Sequence, residues 1–107
     1  MRVRFYRAAS GASPVERYLD GLETREAEQV LAAILDIESH GLTGSPLHLR
    51  PIAGRLWEIK VSAQRIFYVV ATGPEVVLLH AYRKQSQKAP RGEIEIALGR
   101  MREVLAG

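Results

Sequence analysis

One stretch, Arg55 to Lys88, restricts the possible folds of this chain more than any other. It reads RLWEIKV, RIFYVVA and EVVLLHAYRKQSQK, apolar runs broken at Ser62-Ala63-Gln64 and Thr72-Gly73-Pro74. Short β-branched and aromatic runs separated by turn residues predict an antiparallel meander of three strands. Side chains alternate across a strand. Trp57, Ile59 and Val61 therefore oppose Glu58 and Lys60, and Ile66, Tyr68 and Val70 oppose Arg65, Phe67 and Val69. In the third run Val77, Leu79 and Ala81 oppose Val76, Leu78, His80 and Tyr82.

Keeping the apolar sides together fixes the facing, because a one-residue slip turns every side chain over. A two-residue loop at Ala63-Gln64 pairs Ser62 with Arg65 and Lys60 with Phe67; a wider loop over the same segment keeps that facing. A tight turn at Gly73-Pro74 pairs Val70 with Val77, Phe67 with His80 and Arg65 with Tyr82. Opposed Cβ atoms lie about 5 Å apart. Lys60, Arg65, His80 and Tyr82 are thus expected on one face, within reach of one ligand. Cations, an imidazole and a phenol so arranged suit phosphate and RNA.

Charge agrees with this reading. Residues 1–49 hold five Lys/Arg and seven Asp/Glu, whereas residues 50–107 hold ten and five. The positive bias lies on the strand half, and Arg83 to Arg91 contains four cations and no acid, the footprint of a nucleic-acid partner. Arg55, Arg83, Lys84, Lys88 and the loop residue His48 are the expected phosphate contacts. With no cysteine there is no disulfide framework or thiolate metal site. No metal or other cofactor is expected, Glu58 being the only carboxylate on the polar face of the meander. No apolar run approaches the roughly 18 residues of a membrane span, and MRVRFYR lacks the apolar core of a secretory leader. The expected location is the cytoplasm, without a membrane partner.

Around the meander, Arg2–Arg7 alternates and reads as a first strand at its edge. Ser13-Pro14-Val15-Glu16 has the form of a capping box with Pro at the first helical position. Val15, Tyr18, Leu19 and Leu22 give the short helix that follows one apolar face. Thr24 opens a second helix whose Ala27, Val30, Leu31, Ile34, Leu35 and Ile37 recur at helical spacing, with Gly41 as its stop. Leu42 to Gly54, with Gly44, Pro46, Pro51 and Gly54, reads as an irregular connection. Pro90 begins a last helix with Ile94, Ala97, Leu98, Met101 and Leu105 as its stripe. The order β-α-α-β-β-β-α predicts one α+β domain over residues 1–107. It is a mostly antiparallel, four-stranded sheet, with a helical hairpin covering the Trp57/Tyr68/Leu79 side and a C-terminal helix. Trp57 and Tyr68 are expected in the core.

The segments Leu56-Trp57-Glu58-Ile59-Lys60, Arg65-Ile66-Phe67-Tyr68, Leu78-Leu79-His80-Ala81-Tyr82-Arg83-Lys84, Lys88-Ala89-Pro90 and Glu93-Ile94, followed by Ala97 and Arg100, resemble the phage-derived HigB-like branch of the RelE/ParE toxin superfamily. The resemblance covers nearly the whole chain. It implies a RelE-like fold and a type II toxin that cleaves mRNA in the ribosomal A site. It also implies a cognate antitoxin, often a helix-turn-helix protein. By position, Arg65 matches the family arginine that opens the strand after the first turn. Lys60 matches the basic position ending the strand before it. His80, Tyr82 and Lys84 match the His-x-aromatic-x-Lys segment. The chain departs where the family often has Lys-Lys (here Lys84-Gln85) and Thr before the proline (here Ala89).

RNA cleavage without a metal needs a base for the 2′-hydroxyl, an acid for the leaving oxygen and cations for the charged phosphorane. His80 is the expected proton-transfer group, Arg65 the phosphate clamp, and Lys60 a phosphate contact or base. Tyr82 would stack on a base or orient the phosphate. A gyrase-poisoning toxin of the ParE type and an inactive homologue that only pairs with its antitoxin are the alternatives.

Overall fold

The computed structural model describes residues 1–43 and 47–107. The elements are β1 (Arg2–Phe5), α1 (Pro14–Asp20), α2 (Thr24–His40), β2 (His48–Ala53), β3 (Leu56–Val61), β4 (Gln64–Ala71), β5 (Glu75–Arg83) and α3 (Arg91–Ala106). The strands form one mixed sheet in the order β1-β5-β4-β3-β2. β1 joins β5 in parallel, and every other pair is antiparallel. The sheet therefore has five strands, not four. The additional one, β2, comes from the segment read as irregular. Its Pro51 and the bulge between Pro51 and Ala53 disguise it; proline is tolerated only on an edge strand or at a bulge, and β2 is both. Gly44 and Pro46, also read as breakers, lie outside the described residues.

Two registers differ from expectation. The β3–β4 turn is Ser62-Ala63, so Lys60 faces Arg65 and Glu58 faces Phe67. This is a slide of two residues, which leaves the facing unchanged. Ser62 accepts φ +55° to make the turn. Between β4 and β5 the loop is one residue longer than expected, and Val70 faces Val76 rather than Val77. A bulge then absorbs Leu79 between the Phe67–His80 and Tyr68–Leu78 pairs, so that Arg65 still faces Tyr82.

That bulge redistributes the core. Leu79 and Val77 do not share a side with Tyr68. They pack with Leu56, Phe67, Val69, Tyr82 and Ala97 beneath α3. On the other side Ile59, Ile66, Tyr68, Val76 and Leu78 meet Val30, Ile34 and Ile37 of α2. Helices consequently cover both faces, and α3 lies across part of the face expected to be open. In α2, Val30, Ala33, Ile34 and Ile37 are buried, while Leu31 and Leu35 point outward, 50% and 61% exposed. Trp57, expected in the core, is 37% exposed beside Leu49, Tyr68 and Val70. In α3, Val104 rather than Leu105 meets the core. Gly41 closes α2 as expected, at φ +72°. No helix among the described residues is long and apolar enough to cross a membrane.

The capping box at α1 does not form. Ser13 makes no side-chain cap, its Oγ is buried without a partner, and Glu16 reaches Arg7 instead. Replacing Ser13 with Ala should therefore leave stability unchanged or raised, since an unsatisfied buried hydroxyl is removed; a working cap would lose about 0.5–2 kcal/mol. Leu78→Ala and Leu79→Ala, neighbours that fill separate cores, should each cost about 2–5 kcal/mol. Urea denaturation checks all three, and a small loss at either leucine would contradict the two-sided core.

Candidate phosphate-binding cleft

Four strands bring their polar residues into two cross-strand rows on the α3 side of the sheet. One runs His48, Lys60, Arg65, Tyr82; the next runs Arg50, Glu58, Phe67, His80. Opposed Cβ atoms are about 5 Å apart, so the first row places Lys60 and Arg65 side by side and the second places Arg50 beside Glu58. At the β2–β4 end the rows wall a cleft of about 280 Å³, lined by His48, Arg50, Glu58, Lys60, Arg65 and Lys84, with Gln87 at its rim.

The centre of this cleft is Glu58, only 1% exposed. Its Oε1 accepts from Arg50 Nε at 2.7 Å and its Oε2 from the Tyr82 hydroxyl at 3.1 Å. A buried carboxylate without such partners would be very costly. The same contact acts on the phenol. Burial first, and then the Glu58 carboxylate, push the Tyr82 pKa up to about 12, so Tyr82 is a proton donor near neutrality and not a base.

Arg65 is 5% exposed. Its NH1 donates to the Ser62 and Gln64 carbonyls, both at 2.9 Å, which ties the guanidinium to the β3–β4 turn. The backbone N–H of Lys84 donates to Ala63 of that turn at 2.8 Å, which brings the basic segment after β5 to the cleft. Lys60 is exposed and has no ion pair among the described residues.

Behind the cleft, on the α1/α2 side, a polar network fixes the same strand ends. Gln64 is buried, shares a hydrogen bond with the Tyr18 hydroxyl, and donates from Nε2 to Glu26 at 2.8 Å. Glu26 in turn holds Arg83 with two hydrogen bonds of 2.8 and 2.9 Å.

His80 is on the expected face but outside the cleft. Its Nε2 lies 2.6 Å from Glu93 Oε1 and its Nδ1 lies 3.2 Å from Arg100 NH1. A guanidinium only donates, so Nδ1 accepts, and Nε2–H donates to Glu93. Both ring nitrogens are thus engaged by α3, and the ring is aligned with those of Phe67 and Tyr82, with centroids 6.3 and 6.4 Å away.

Of the residues singled out in the sequence, the cleft gathers His48, Lys60, Arg65 and Lys84, with Tyr82 hydrogen-bonded behind Glu58. Arg55 lies elsewhere, donating to the Val70 carbonyl; Arg83 is paired with Glu26; Lys88 is exposed in the segment before α3 and does not line the cleft. Arg50 and Gln87 also line the cleft and are not among those residues. The signal for Arg50 is its alternation with His48, visible only once β2 is read as a strand.

The ionisation of the buried phenols tests this environment. Burial also raises Tyr68 to about 12. A phenol whose pKa is higher folded than unfolded adds stability below about pH 10, the unfolded value, and loses it as pH rises towards 12. Spectrophotometric titration should show two phenols ionising near 12 in the folded protein, with stability falling between pH 10 and 12. Tyr82→Phe should remove one of the two late transitions; ordinary ionisation of Tyr82 near 10 would contradict the described contact.

No curated protein matches the chain. A family model described as phage derived protein Gp49-like (DUF891) matches residues 17–102, a span that runs from within α1 to within α3 and includes every cleft residue. The chain belongs to this phage-derived Gp49-like family, part of the RelE/ParE-like toxin superfamily.

Proposed function

We propose that this protein is the toxin of a type II toxin–antitoxin pair, of the HigB-like branch. We propose further that it inhibits translation by cleaving mRNA at the ribosome, in the cytoplasm, under the control of a helix-turn-helix antitoxin. The observation that carries this reading is the cleft. Arg50, Lys60, Arg65 and Lys84 surround a single carboxylate, Glu58, whose two oxygens are already bonded to Arg50 and Tyr82. The surplus positive charge suits the scissile phosphate of an RNA strand, and cations aimed at a developing phosphorane are the largest contribution such a site can make.

In this mechanism Lys60 and Lys84 hold the non-bridging phosphate oxygens, and Arg65, tied to the β3–β4 turn, adds its charge to the cleft wall. His48 brings the imidazole of the cleft, the group that takes the 2′-hydroxyl proton in this scheme. The oxygen attacks phosphorus, the P–O5′ bond breaks, and the 5′-oxygen takes its proton from solvent water, giving a 2′,3′-cyclic phosphate and a 5′-hydroxyl. Protonated Tyr82 orients Glu58 and through it Arg50. His80, with both nitrogens engaged, steadies α3 in this scheme. That engagement also favours a second reading, a toxin that binds its target without cleaving it, as in gyrase poisoning.

Induced expression separates the two. Cleavage depletes translated mRNA, whereas gyrase poisoning induces DNA damage. Lys60→Ala and Lys84→Ala should each relieve growth arrest, with cleavage down about 10²–10³-fold and the circular dichroism spectrum unchanged. His48→Ala should do so more strongly than His80→Ala. Full toxicity in both lysine variants would remove the cleft from the mechanism.

A further inference from the structure

A second group of cations lies away from the cleft, at the outer margin of β5. A hollow of about 430 Å³ opens there between α1 and α3, walled by Arg17, Tyr18, His80 and Arg100. Among the described residues no carboxylate lines it. Neither Arg17 nor Arg100 forms an ion pair among the described residues. Of the acids on α1 and α3, Glu93 holds His80, Glu103 accepts from the Tyr6 hydroxyl at 2.9 Å and Glu16 holds Arg7, while Asp20 and Glu95 do not line the hollow. The imidazole does not offset the charge, because its Nδ1 already accepts from Arg100. Arg100 is fixed in place by a 2.9 Å hydrogen bond to the Leu79 carbonyl and by the face of Tyr6, 5.3 Å from its guanidinium carbon.

Two guanidinium groups from different helices face one hollow that no carboxylate of the described residues lines, an arrangement in which one anion can be gripped by both. A guanidinium fork matches the oxygen geometry of phosphate. We infer that Arg17 and Arg100 form a second anion site, specific for a phosphate group and separate from the cleft. The phosphate comes either from an RNA strand running on past β5, a source that rests on the function proposed above, or from a small phosphorylated molecule, which does not.

The test uses the full chain labelled with nitrogen-15, titrated with inorganic phosphate and, separately, with a short single-stranded oligoribonucleotide. The Nε–H resonances of Arg17 and Arg100 report on the hollow, those of Arg50 and Arg65 on the cleft. Inorganic phosphate should shift Arg17 and Arg100 saturably. Arg17→Gln, an exposed change, should weaken that binding about tenfold, the loss expected for one charge-assisted contact, with Arg50 and Arg65 unaffected. If RNA also moves Arg17 and Arg100, and Arg17→Gln lowers the salt slope of RNA binding by about 0.7, the strand is the source. A response to phosphate alone supports the site with a small phosphorylated ligand. Arg17 and Arg100 unmoved by either, or moved equally by chloride, would overturn the inference. Silence at Arg50 and Arg65 under RNA would count against the cleft reading and leave this one standing.

Discussion

The pairing of β4 with β5 is the constraint on which the remaining structure depends. These central strands are in register at both ends of their contact, yet Leu79 is an extra residue on one of them. A bulge lets the strand carry two residues opposite one. Without it, His80 and Tyr82 would keep the loop-side register and point towards α2, and the polar rows would lose their fourth column. With it, β5 gives Val76, Leu78 and Ala81 to one core and Val77, Leu79 and Tyr82 to the other. Adjacent large apolar residues can then all be buried, as an uninterrupted apolar run in a sheet covered on both sides requires.

The second organising element is a charge. Glu58 lies on the same side of the sheet as the α3 core, where a carboxylate is tolerated only if both oxygens are bonded. Arg50 and Tyr82 meet that requirement from strands on opposite sides of β3. The carboxylate thereby links three strands, and the cations lining the cleft have no other carboxylate among its described lining residues. The cleft is positive because its one acid is fully occupied, not because it lacks one.

How far the sequence discloses this differs from element to element. The helices, β1 and the meander follow from apolar spacing and turn residues, and the facing of Lys60, Arg65 and Tyr82 follows from parity alone. A two-residue error in the Lys60 pairing has no effect on facing, and the extra loop residue before β5 is offset by the Leu79 bulge. What parity does not reveal is where a helix lies. α3 draws His80 into a contact with Glu93 and Arg100, side chains remote from it in sequence. β2 is hidden by Pro51, which argues against a central strand but not against an edge. Leu31 and Leu35 have helical spacing, yet the buried stripe of α2 runs through Val30, Ala33, Ile34 and Ile37. An apolar periodicity wider than the covered face cannot be resolved without the partner surface.

The position of β2 gives the cleft unequal walls. Lys60 and Arg65 stand on strands paired on both sides, whereas His48 and Arg50 stand on the outermost strand, paired only to β3. One wall is held by a neighbour on each side and the other by a single neighbour, and the Arg50–Glu58 contact joins them. Leu49 and Ile52 of β2 pack against the two cores, one on each face, so that margin is tied to both cores as well as to the cleft.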